Sequence, residues 1–388
     1  MAVRAMPGSE RAVALRTVPL MSFDPLLALA SAGLGACSLI VLHGAAPHYV
    51  SRQAVYLVVG FALMLVASRL DYWRLREIKW LLYPMMLLSI LLVIALGGAV
   101  NGSSRAIAIA GVSFQASELG KLLLIVFLAA IVADSPRKTS ATELTLKVMG
   151  YALVPAALVI AEPDLGSGLV YVVIAFAILY IAGIPARQLV ALAVLGTVGL
   201  LFALVIAPAV GLHVLKHYEE QRLTGFLSPS QNPNSYDHQQ VESVIGVGAG
   251  EGTGRGGGAT QTTLGLVGTE APTDFIFTVV GERLGFAGGA FVLSLYALIV
   301  WRTLRIVANA KNLFAALIAA GAVAMLMFQV FVNVGMAVGI MPITGVTLPL
   351  LSYGGSSVLT TFLTLGLLQS IYGQARAASA PRGRALRV

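Results

Sequence analysis

Long apolar runs separated by short polar breaks repeat along almost the whole chain, and they constrain its fold more strongly than any other feature. A helix that crosses the hydrocarbon core of a bilayer needs about 20 mostly apolar residues. Because backbone polar groups in lipid must be paired within the segment, each run is predicted to be a helix. The sequence therefore predicts an all-α membrane protein with about ten transmembrane helices. The ten predicted spans are 25–46, 52–68, 80–100, 118–134, 147–163, 166–184, 188–211, 274–301, 312–340 and 351–373.

The composition excludes several other classes of protein. Of the 388 residues, 58% are hydrophobic and 11% are charged, whereas soluble domains carry about 25% charged residues. The net charge of +8 does not indicate a nucleic-acid-binding protein, because the basic residues are scattered among loops instead of being gathered on one surface. The single cysteine, Cys37, lies in the first apolar run. It is interpreted as a small core residue, so no disulfide framework is expected.

The basic residues indicate how the helices are oriented, because Lys and Arg are enriched in cytoplasmic loops. With a cytoplasmic N-terminus, eighteen of the 25 Lys and Arg residues face inside, five face outside, and Lys121 and Arg283 lie within spans. The sequence therefore predicts that both chain ends face the cytoplasm. The first span follows a polar stretch without a small-residue cleavage site, so we expect it to be retained as a helix.

The longest connection, 211–273, lies between the seventh and eighth helices and is therefore predicted to be extracytoplasmic. Loops of this length in compact proteins are usually functional or disordered. Apolar residues at 223–227 and 241–247 favour a folded loop with short amphipathic pieces on the outer membrane surface. The predicted organisation is a cytoplasmic segment 1–24, a membrane domain 25–373 and a basic cytoplasmic tail 374–388.

Charged residues at the ends of apolar spans are costly and indicate functional sites. Glu118 and Lys121 are three residues apart at the start of the fourth span, so they share one helix face and can pair. Such a pair is either a structural clamp or part of a polar lining for an anionic substrate, with Lys121 near a phosphate. The polar segment 101–121 is typical of a re-entrant or interfacial entry into a cavity, with Ser117 as the helix N-cap.

Two aspartates begin apolar spans on the predicted outer side. Asp164 lies in the turn 162–166, where it either caps the sixth helix or faces a substrate. Asp274 ends the long loop and begins the eighth span, and the same two interpretations are open for it. Glu282 lies about 12 Å further along that helix at 1.5 Å per residue. With Arg283 beside it, it is interpreted as a structural pair.

Nucleotide and metal-cluster chemistry find little support in the sequence. The glycine-rich stretch 246–258 is predicted to lie outside the cytoplasm and follows no strand, unlike a nucleotide phosphate loop. His213, His217 and Glu220 share the spacing of one helix face, but in an outer loop they are interpreted as solvated side chains. Neither ATP nor a nucleotide sugar is expected as a substrate. No cofactor is certain from the sequence, and a divalent cation is left open.

Four segments carry a family pattern: SFQASELGK (113–121), AEPDLGSGLV (161–170), PTDFIFTVVGERLGF (272–286) and MPITGVTLPLLSYGGSS (341–357). Together they resemble the SEDS family, whose RodA and FtsW members polymerise lipid-linked peptidoglycan precursor outside the cytoplasmic membrane. A fifth segment, QRLTGFLSP (221–229), is similar to the family's large outer loop. Three positions depart from the family pattern, with Ala106, Ala116 and Pro272 where Trp, Pro and His are usual. These departures leave the acidic positions intact and change positions expected to contact the substrate.

The resemblance implies a ten-helix fold with a catalytic aspartate at Asp274. Its MPITG and SFQ variants favour the RodA branch, which serves cell elongation, over the FtsW branch, which serves division. The implied metal requirement is unknown. Six further positions in the matched segments and the loops beside them are predicted to bind the substrate: Glu118, Lys121, Asp164, Arg105, Arg222 and Ser356.

The implied reaction is polymerisation of lipid II, an undecaprenyl-diphosphate-linked disaccharide-peptide. A base takes the proton of the acceptor hydroxyl, and cationic help stabilises the departing diphosphate. The implied partners are a class B penicillin-binding protein, which is a transpeptidase, and other membrane proteins of cell-wall elongation or division. Two alternatives are open: a flippase for the same precursor, which intramembrane charges also suit, and a non-catalytic scaffold.

Overall fold

The computed structural model describes residues 23–96, 107–109, 112–136, 138–162, 164–202, 236–259 and 271–379. Within these residues the chain forms twelve α-helices and one two-stranded antiparallel hairpin. The hairpin pairs β1 (Ile107–Ile109) with β2 (Val112–Phe114). The helices are α1 (Pro25–Ala45), α2 (Pro47–Ala67), α3 (Trp73–Glu77), α4 (Lys79–Leu96), α5 (Ala116–Asp134), α6 (Ala141–Ala161), α7 (Leu165–Ile181), α8 (Ala186–Leu201), α9 (Tyr236–Ala249), α10 (Ile276–Asn309), α11 (Leu313–Ala337) and α12 (Gly355–Ser379).

The prediction of an all-α membrane protein with about ten spans is confirmed. Every predicted span coincides with one of these helices, and α3 and α9 are additional. In the described part of the chain, seven helices are long and apolar enough to cross a bilayer, and α7 and α8 are shorter apolar helices. Among the seven, α5 is the most buried. It packs against α4, α7 and α11, so the helix that carries Glu118 and Lys121 is central.

Several helix boundaries differ from the predicted spans, and two of the differences have a clear local reason. Helix α6 begins at Ala141, six residues before the predicted span, because the Ser140 hydroxyl accepts the Glu143 N–H at 3.1 Å and caps the helix. Helix α12 begins at Gly355 instead of residue 351. The preceding residues belong to an irregular segment between α11 and α12, which we name the 338–354 loop.

Both ends of the helical domain lie on the same face. The Asp24 N–H donates to Gln369 Oε1 at 2.7 Å, and Gln369 Nε2 donates to the Asp24 carbonyl at 2.9 Å. Arg302, near the end of α10, pairs with the Asp24 carboxylate at 2.6 Å. We name this group the inner clamp, because the charge distribution predicts that its face is cytoplasmic. The opposite end of the helices is called the outer end.

Helix α9 corrects the expectation for the 241–247 piece of the long loop. It is helical, and Val241, Val244 and Ile245 form an exposed apolar face, as expected for an amphipathic segment. Its polar face, however, is buried against protein instead of facing water: Gln240 Nε2 donates to Met336 O at 3.2 Å, and Ser243 Oγ donates to Ala337 O at 2.9 Å. The reason lies in α11, whose last carbonyls have no partner within their own helix. The 223–227 piece lies outside the described residues.

Candidate active site

The backbone around Asp274 is held by three hydrogen bonds to consecutive carbonyls. The Tyr353 N–H donates to Pro272 O at 2.9 Å, and Ser352 Oγ donates to Thr273 O at 2.5 Å. Asn333 Nδ2 donates to Asp274 O at 2.7 Å. These donors come from α11 and the 338–354 loop, so a segment distant in sequence fixes the turn that leads into α10. A turn whose carbonyls are all bonded in this way holds its side chains in a defined direction.

Asp274 is not the N-cap residue of α10. The helix begins at Ile276 and its N-cap is Phe275, so the boundary does not support the capping interpretation. Asn333, which bonds the Asp274 carbonyl, lies twenty residues along α11 from Leu313. At 1.5 Å per residue this is about 30 Å, the thickness of the hydrocarbon core. Asp274 is therefore placed near the outer boundary of the membrane, where it is buried.

The 338–354 loop is itself tightly constrained. Asn333 Nδ2 also donates to Val346 O at 2.7 Å, so one amide joins the loop to the Asp274 turn. The Ser352 hydroxyl accepts the Leu348 N–H at 2.8 Å. Leu350 is buried in a left-handed conformation with φ of 65°, which is unfavourable for a residue with a branched side chain. Backbone strain of this kind persists only where the surroundings enforce it, and it is common at functional sites.

Glu118 and Lys121 form the ion pair that their spacing predicts. Lys121 Nζ lies 2.7 Å from Glu118 Oε1, and the two residues are 1% and 5% exposed. Burial of two charges is costly unless they are paired, so the pairing accounts for their presence near the outer end of the central helix. The geometry by itself is compatible with both the clamp and the substrate lining.

Asp164 has the capping role, one of the two that the sequence left open, and it also bonds to side chains at the start of α5. One carboxylate oxygen caps α7 by accepting the Ser167 N–H at 3.0 Å. The other accepts Gln115 Nε2 at 3.2 Å and Ser117 Oγ at 3.4 Å. The prediction of Ser117 as N-cap is wrong: α5 begins at Ala116 with Gln115 as its N-cap. Ser117 is therefore inside the first turn, and its hydroxyl bonds to Asp164 instead.

Tyr171 joins the two acidic positions and was not found by sequence reasoning. Its hydroxyl donates to Ser117 O at 3.0 Å, and its side chain is fully buried. It interacts electrostatically with Glu118, Glu162 and Asp164. A lone Tyr in an apolar run carries little signal, because the side chain is also common in helix packing.

Ser356 anchors the hairpin to α12. Its hydroxyl donates to Ser113 O at 2.9 Å and accepts the Gln115 N–H at 2.9 Å. Ser356 therefore lies beside Asp164 and its partners Gln115 and Ser117, which we name the Asp164 group. Its own oxygen is used for contacts with the backbone. The 338–354 loop packs closely against the start of α7. Val346 Cγ2 lies only 2.4 Å from the position that a Cβ at Gly166 would occupy. One loop thus touches both the start of α7 and the Asp274 turn.

Asn333 is a second residue that sequence reasoning missed, although a signal was present. It is fully buried within a strongly apolar helix, four residues after the buried Gln329. A polar side chain at membrane depth is expensive, so this pair was a detectable exception. Arg105 and Arg222 lie outside the described residues, as do His213 and His217. Among the described residues, His, Cys, Asp and Glu form no group of three that could hold a metal ion.

Most of the chain matches one family of known proteins. Residues 13–377 match the family model of the cell cycle proteins FtsW, RodA and SpoVE. The chain belongs to the SEDS family. Three relatives of this SEDS protein cover most of its length. Stage V sporulation protein E of Bacillus subtilis is 30% identical over 83% of this chain and 86% of its own length. The peptidoglycan glycosyltransferase RodA of Treponema pallidum is 30% identical, covering 90% and 97%, and the probable peptidoglycan glycosyltransferase FtsW of Alkalilimnicola ehrlichii is 35% identical, covering 92% and 90%.

Solved structures have the same fold as this SEDS protein. A chain of a peptidoglycan synthase complex, described as coordinating polymerization and crosslinking, superposes with a TM-score of 0.78 at 30% identity. It is covered over 98% of its length and covers 91% of this chain. The rod shape determining protein RodA of Thermus thermophilus gives a TM-score of 0.67 at 28% identity, with 97% and 91% covered. The protein is thus a multi-pass protein of the cell membrane, as its spans predict.

Proposed function

We propose that this peptidoglycan glycosyltransferase polymerises lipid II at the outer face of the cell membrane with Asp274 as its general base. The observation that carries the proposal is the position of Asp274. It lies at about the depth of the outer membrane boundary, in a turn with three consecutive carbonyls bonded. A base must be held within hydrogen-bonding reach of the proton that it removes, and this turn is built to restrict movement.

The depth of the site suits a substrate that is anchored in lipid. The undecaprenyl tail of lipid II remains in the bilayer, and its diphosphate and sugars lie at the outer boundary. Among the described residues, six of the seven buried charged side chains lie toward the outer end of the helices: Glu118, Lys121, Glu162, Asp164, Asp274 and Glu282. The buried charged side chain at the inner end is that of Asp24, in the inner clamp. This asymmetry favours chemistry at the outer face.

The proposed step transfers one glycosyl unit. The acceptor sugar hydroxyl attacks the anomeric carbon of the donor, and its proton passes to the Asp274 carboxylate. A new glycosidic C–O bond forms as the C–O bond between the anomeric carbon and the lipid diphosphate breaks. The lipid diphosphate leaves with the bonding electron pair, and a positive group near its oxygens lowers the barrier. A positioned base contributes about 10²–10⁴-fold to such a step.

Further residues are proposed to bind the substrate. Lys121 and Glu118 supply charge close to the Asp164 group, and Ser356 holds the hairpin beside it. Arg105 and Arg222 lie outside the described residues and stay predictions. A divalent cation also stays a prediction, as does the organisation into 1–24, 25–373 and 374–388.

The cellular role is proposed to be that of RodA in cell elongation. The MPITG and SFQ segments support this choice. Relatives named RodA, FtsW and stage V sporulation protein E are similar to this chain at about equal identity, so the choice rests on the two segments. The proposed partner is a class B penicillin-binding protein. The resemblance to a chain of a peptidoglycan synthase complex supports a partner of this kind. Co-purification from native membranes with the elongation transpeptidase, and not with the division one, is the expected result.

The test is polymerisation of purified lipid II in detergent, with and without the matching transpeptidase. In detergent there is no membrane that separates two compartments, so a flippase has no measurable transport activity there. Glycan strands that form with the purified pair, and are absent when the protein is omitted, are the expected result. Failure to polymerise with any class B partner, together with precursor transfer across vesicles, would favour the flippase. If outer acidic residues can be replaced without loss of activity or growth, the scaffold interpretation is favoured.

A further inference from the structure

Helix α10 is interrupted at Gly285, where the backbone takes φ of 66° and ψ of −163°. Residues 286–309 beyond the interruption span about 36 Å at 1.5 Å per residue, which is enough to cross the hydrocarbon core. Residues 276–284 before it form a separate helical segment, which we name the upper segment. It follows Asp274 directly, so its direction determines where that turn lies.

A turn of the long outer loop replaces the helical hydrogen bonds that the interruption removes. In a continuous helix the Phe286 N–H would donate to Glu282 O, four residues earlier. Here the Phe286 N–H donates to Glu251 O at 2.8 Å, and the Ala287 N–H donates to Gly252 O at 3.1 Å. Glu282 O instead accepts the Arg255 N–H at 2.8 Å. The turn of residues 250–255, which we name the splint turn, thus pairs groups on both sides of the break.

The splint turn approaches the helix so closely that side chains are excluded. Gly254 has φ of 85°, and a Cβ there would lie 2.2 Å from Arg283 O. A Cβ at Gly285 would lie 2.3 Å from Gly254 N. Both glycines therefore meet a steric and a conformational requirement at once. Glu251, in the same turn, is a non-glycine residue with φ of 47°. Strain concentrated at one contact indicates that the surrounding structure enforces this contact.

The upper segment has restraints along its whole length. The splint turn bonds its lower end, and Asn333 and Ser352 bond the turn at its upper end. Between these, the Ser243 and Thr278 hydroxyls of α9 and α10 hydrogen-bond to each other. The splint turn follows α9 directly, because α9 ends at Ala249. One continuous stretch of the outer loop therefore holds the side and the lower end of the segment.

We propose that the splint turn is a positioning element for Asp274, acting by fixing the direction of the upper segment across the break at Gly285. The proposal rests on the proposed role of Asp274 as general base. The glycine-rich stretch, which the sequence alone leaves without a function, thereby acquires a structural one. In this proposal its effect reaches the reaction through the backbone of the upper segment, to which it is hydrogen-bonded.

The first test replaces Gly254 with Ala and uses Gly257→Ala as the matched control. Gly257 lies three residues away, and a Cβ there meets nothing within 4 Å. We measure amide hydrogen exchange over residues 276–287 and the kcat and KM for lipid II polymerisation with the partner transpeptidase. In Gly254→Ala, exchange at Phe286 and Ala287 is expected to rise and kcat to fall about 10²-fold, because a misplacement of about 1 Å costs that much. The KM is expected to stay unchanged, and the control variant is expected to match the wild type.

A second pair of variants covers the case in which Gly254→Ala does not fold. Arg255→Pro removes the N–H that bonds Glu282 O, whereas Arg255→Ala removes the same side chain and keeps the N–H. Arg255→Pro is expected to raise exchange in the upper segment and lower kcat by up to about tenfold, the value of one net hydrogen bond. Arg255→Ala is expected to leave exchange at the break near the wild-type rate.

Two results would overturn the proposal. Wild-type exchange at Phe286 and Ala287 in both Gly254→Ala and Arg255→Pro would show that the turn does not hold the break. Raised exchange with unchanged kcat would show that the turn holds the helix without positioning the reaction. Exchange is independent of catalysis, so it still reports on the splint turn if Asp274 proves not to be the base. That separate failure is detected by the activity of Asp274→Asn.

Discussion

Asp24 and Asp274 are both buried acids that come just before a long helix, yet their surroundings differ. Asp24 is the N-cap of α1: one oxygen accepts the N–H groups of Leu26 and Leu27, and the other binds Arg302 through two nitrogens at 2.6 and 2.7 Å. The carboxylate is thus fully committed to holding the inner clamp. Asp274 is not the N-cap of its helix. The hydrogen bonds that hold its backbone are made to its own carbonyl and to the carbonyls of the two residues before it.

The difference separates a structural acid from a proposed catalytic one. A carboxylate whose oxygens bind an arginine and a helix terminus stabilises the fold and has its charge neutralised. At Asp274 the main chain is held by donors from α11 and the 338–354 loop, so the position of the residue is fixed through its backbone. Breaking the inner clamp should therefore lower stability, whereas changes at the outer end should lower the turnover number.

A large loss of stability is expected from Arg302→Met, which leaves the Asp24 carboxylate buried without its cation. Removal of one partner of a buried ion pair costs about 3–5 kcal/mol, and the lower end applies because the Arg302 side chain is 16% exposed. Thermal unfolding in detergent measures the loss, and kcat per folded molecule should match the wild type. Arg305→Met, on the same helix and exposed, is the control. Equal loss in both variants would contradict the special role of the clamp.

Asn333→Ala, unlike Arg302→Met, should lower the turnover number as well as the stability. It removes the amide that joins Asp274 O to Val346 O, and the space that it leaves can admit a water to bond these carbonyls. We expect a stability loss of about 1–3 kcal/mol and a fall in kcat of about 10²-fold. Steady-state polymerisation and thermal unfolding on the same preparation separate the two. A large stability loss with unchanged kcat would place Asn333 with the inner clamp instead.

The smallest expected effect on stability is that of a double variant of the Glu118–Lys121 pair. Lys121→Met alone should destabilise the protein, since it leaves Glu118 buried and unpaired. The double variant Glu118→Gln/Lys121→Met removes both charges, so stability should recover to near the wild-type value. If the pair also binds substrate, polymerisation by the double variant should stay about tenfold lower, with a raised KM. Recovery of both stability and activity would assign the pair to a clamp like the inner one.

Much of the fold could be predicted from the sequence, because the solvent is a bilayer. Apolar runs of about 20 residues have few alternatives to a membrane helix, so all ten spans were found. Helix ends were less predictable, since capping by residues such as Ser140 extends a helix beyond its apolar run. The burial of the polar face of α9 could not be predicted, because it depends on unpaired carbonyls at the end of α11, a long-range contact.

The candidate site was predicted in part for a similar reason. Charged residues in apolar spans are exceptional, which drew attention to Glu118, Lys121 and Asp164, and these lie together around Tyr171. Asn333 is neutral, and its importance comes from contacts with residues before α10 and in the 338–354 loop. The splint turn was equally hidden, because its hydrogen bonds are made by backbone atoms. Sequence patterns carry information about side chains. A contact between two backbones is indicated in the sequence only by the glycines that it requires.

Asp274→Asn, compared with Asp24→Asn, tests the central claim most directly. Asn keeps the size and most hydrogen bonds of Asp but cannot accept the proton, so polymerisation of lipid II by Asp274→Asn should fall about 10²–10⁴-fold. Its thermal stability and partner binding should stay near the wild type. Asp24→Asn should lose stability through its weakened bond to Arg302 and keep its turnover number. Near-normal polymer yield from Asp274→Asn would remove this residue from the mechanism and contradict the proposed contrast between the two acids.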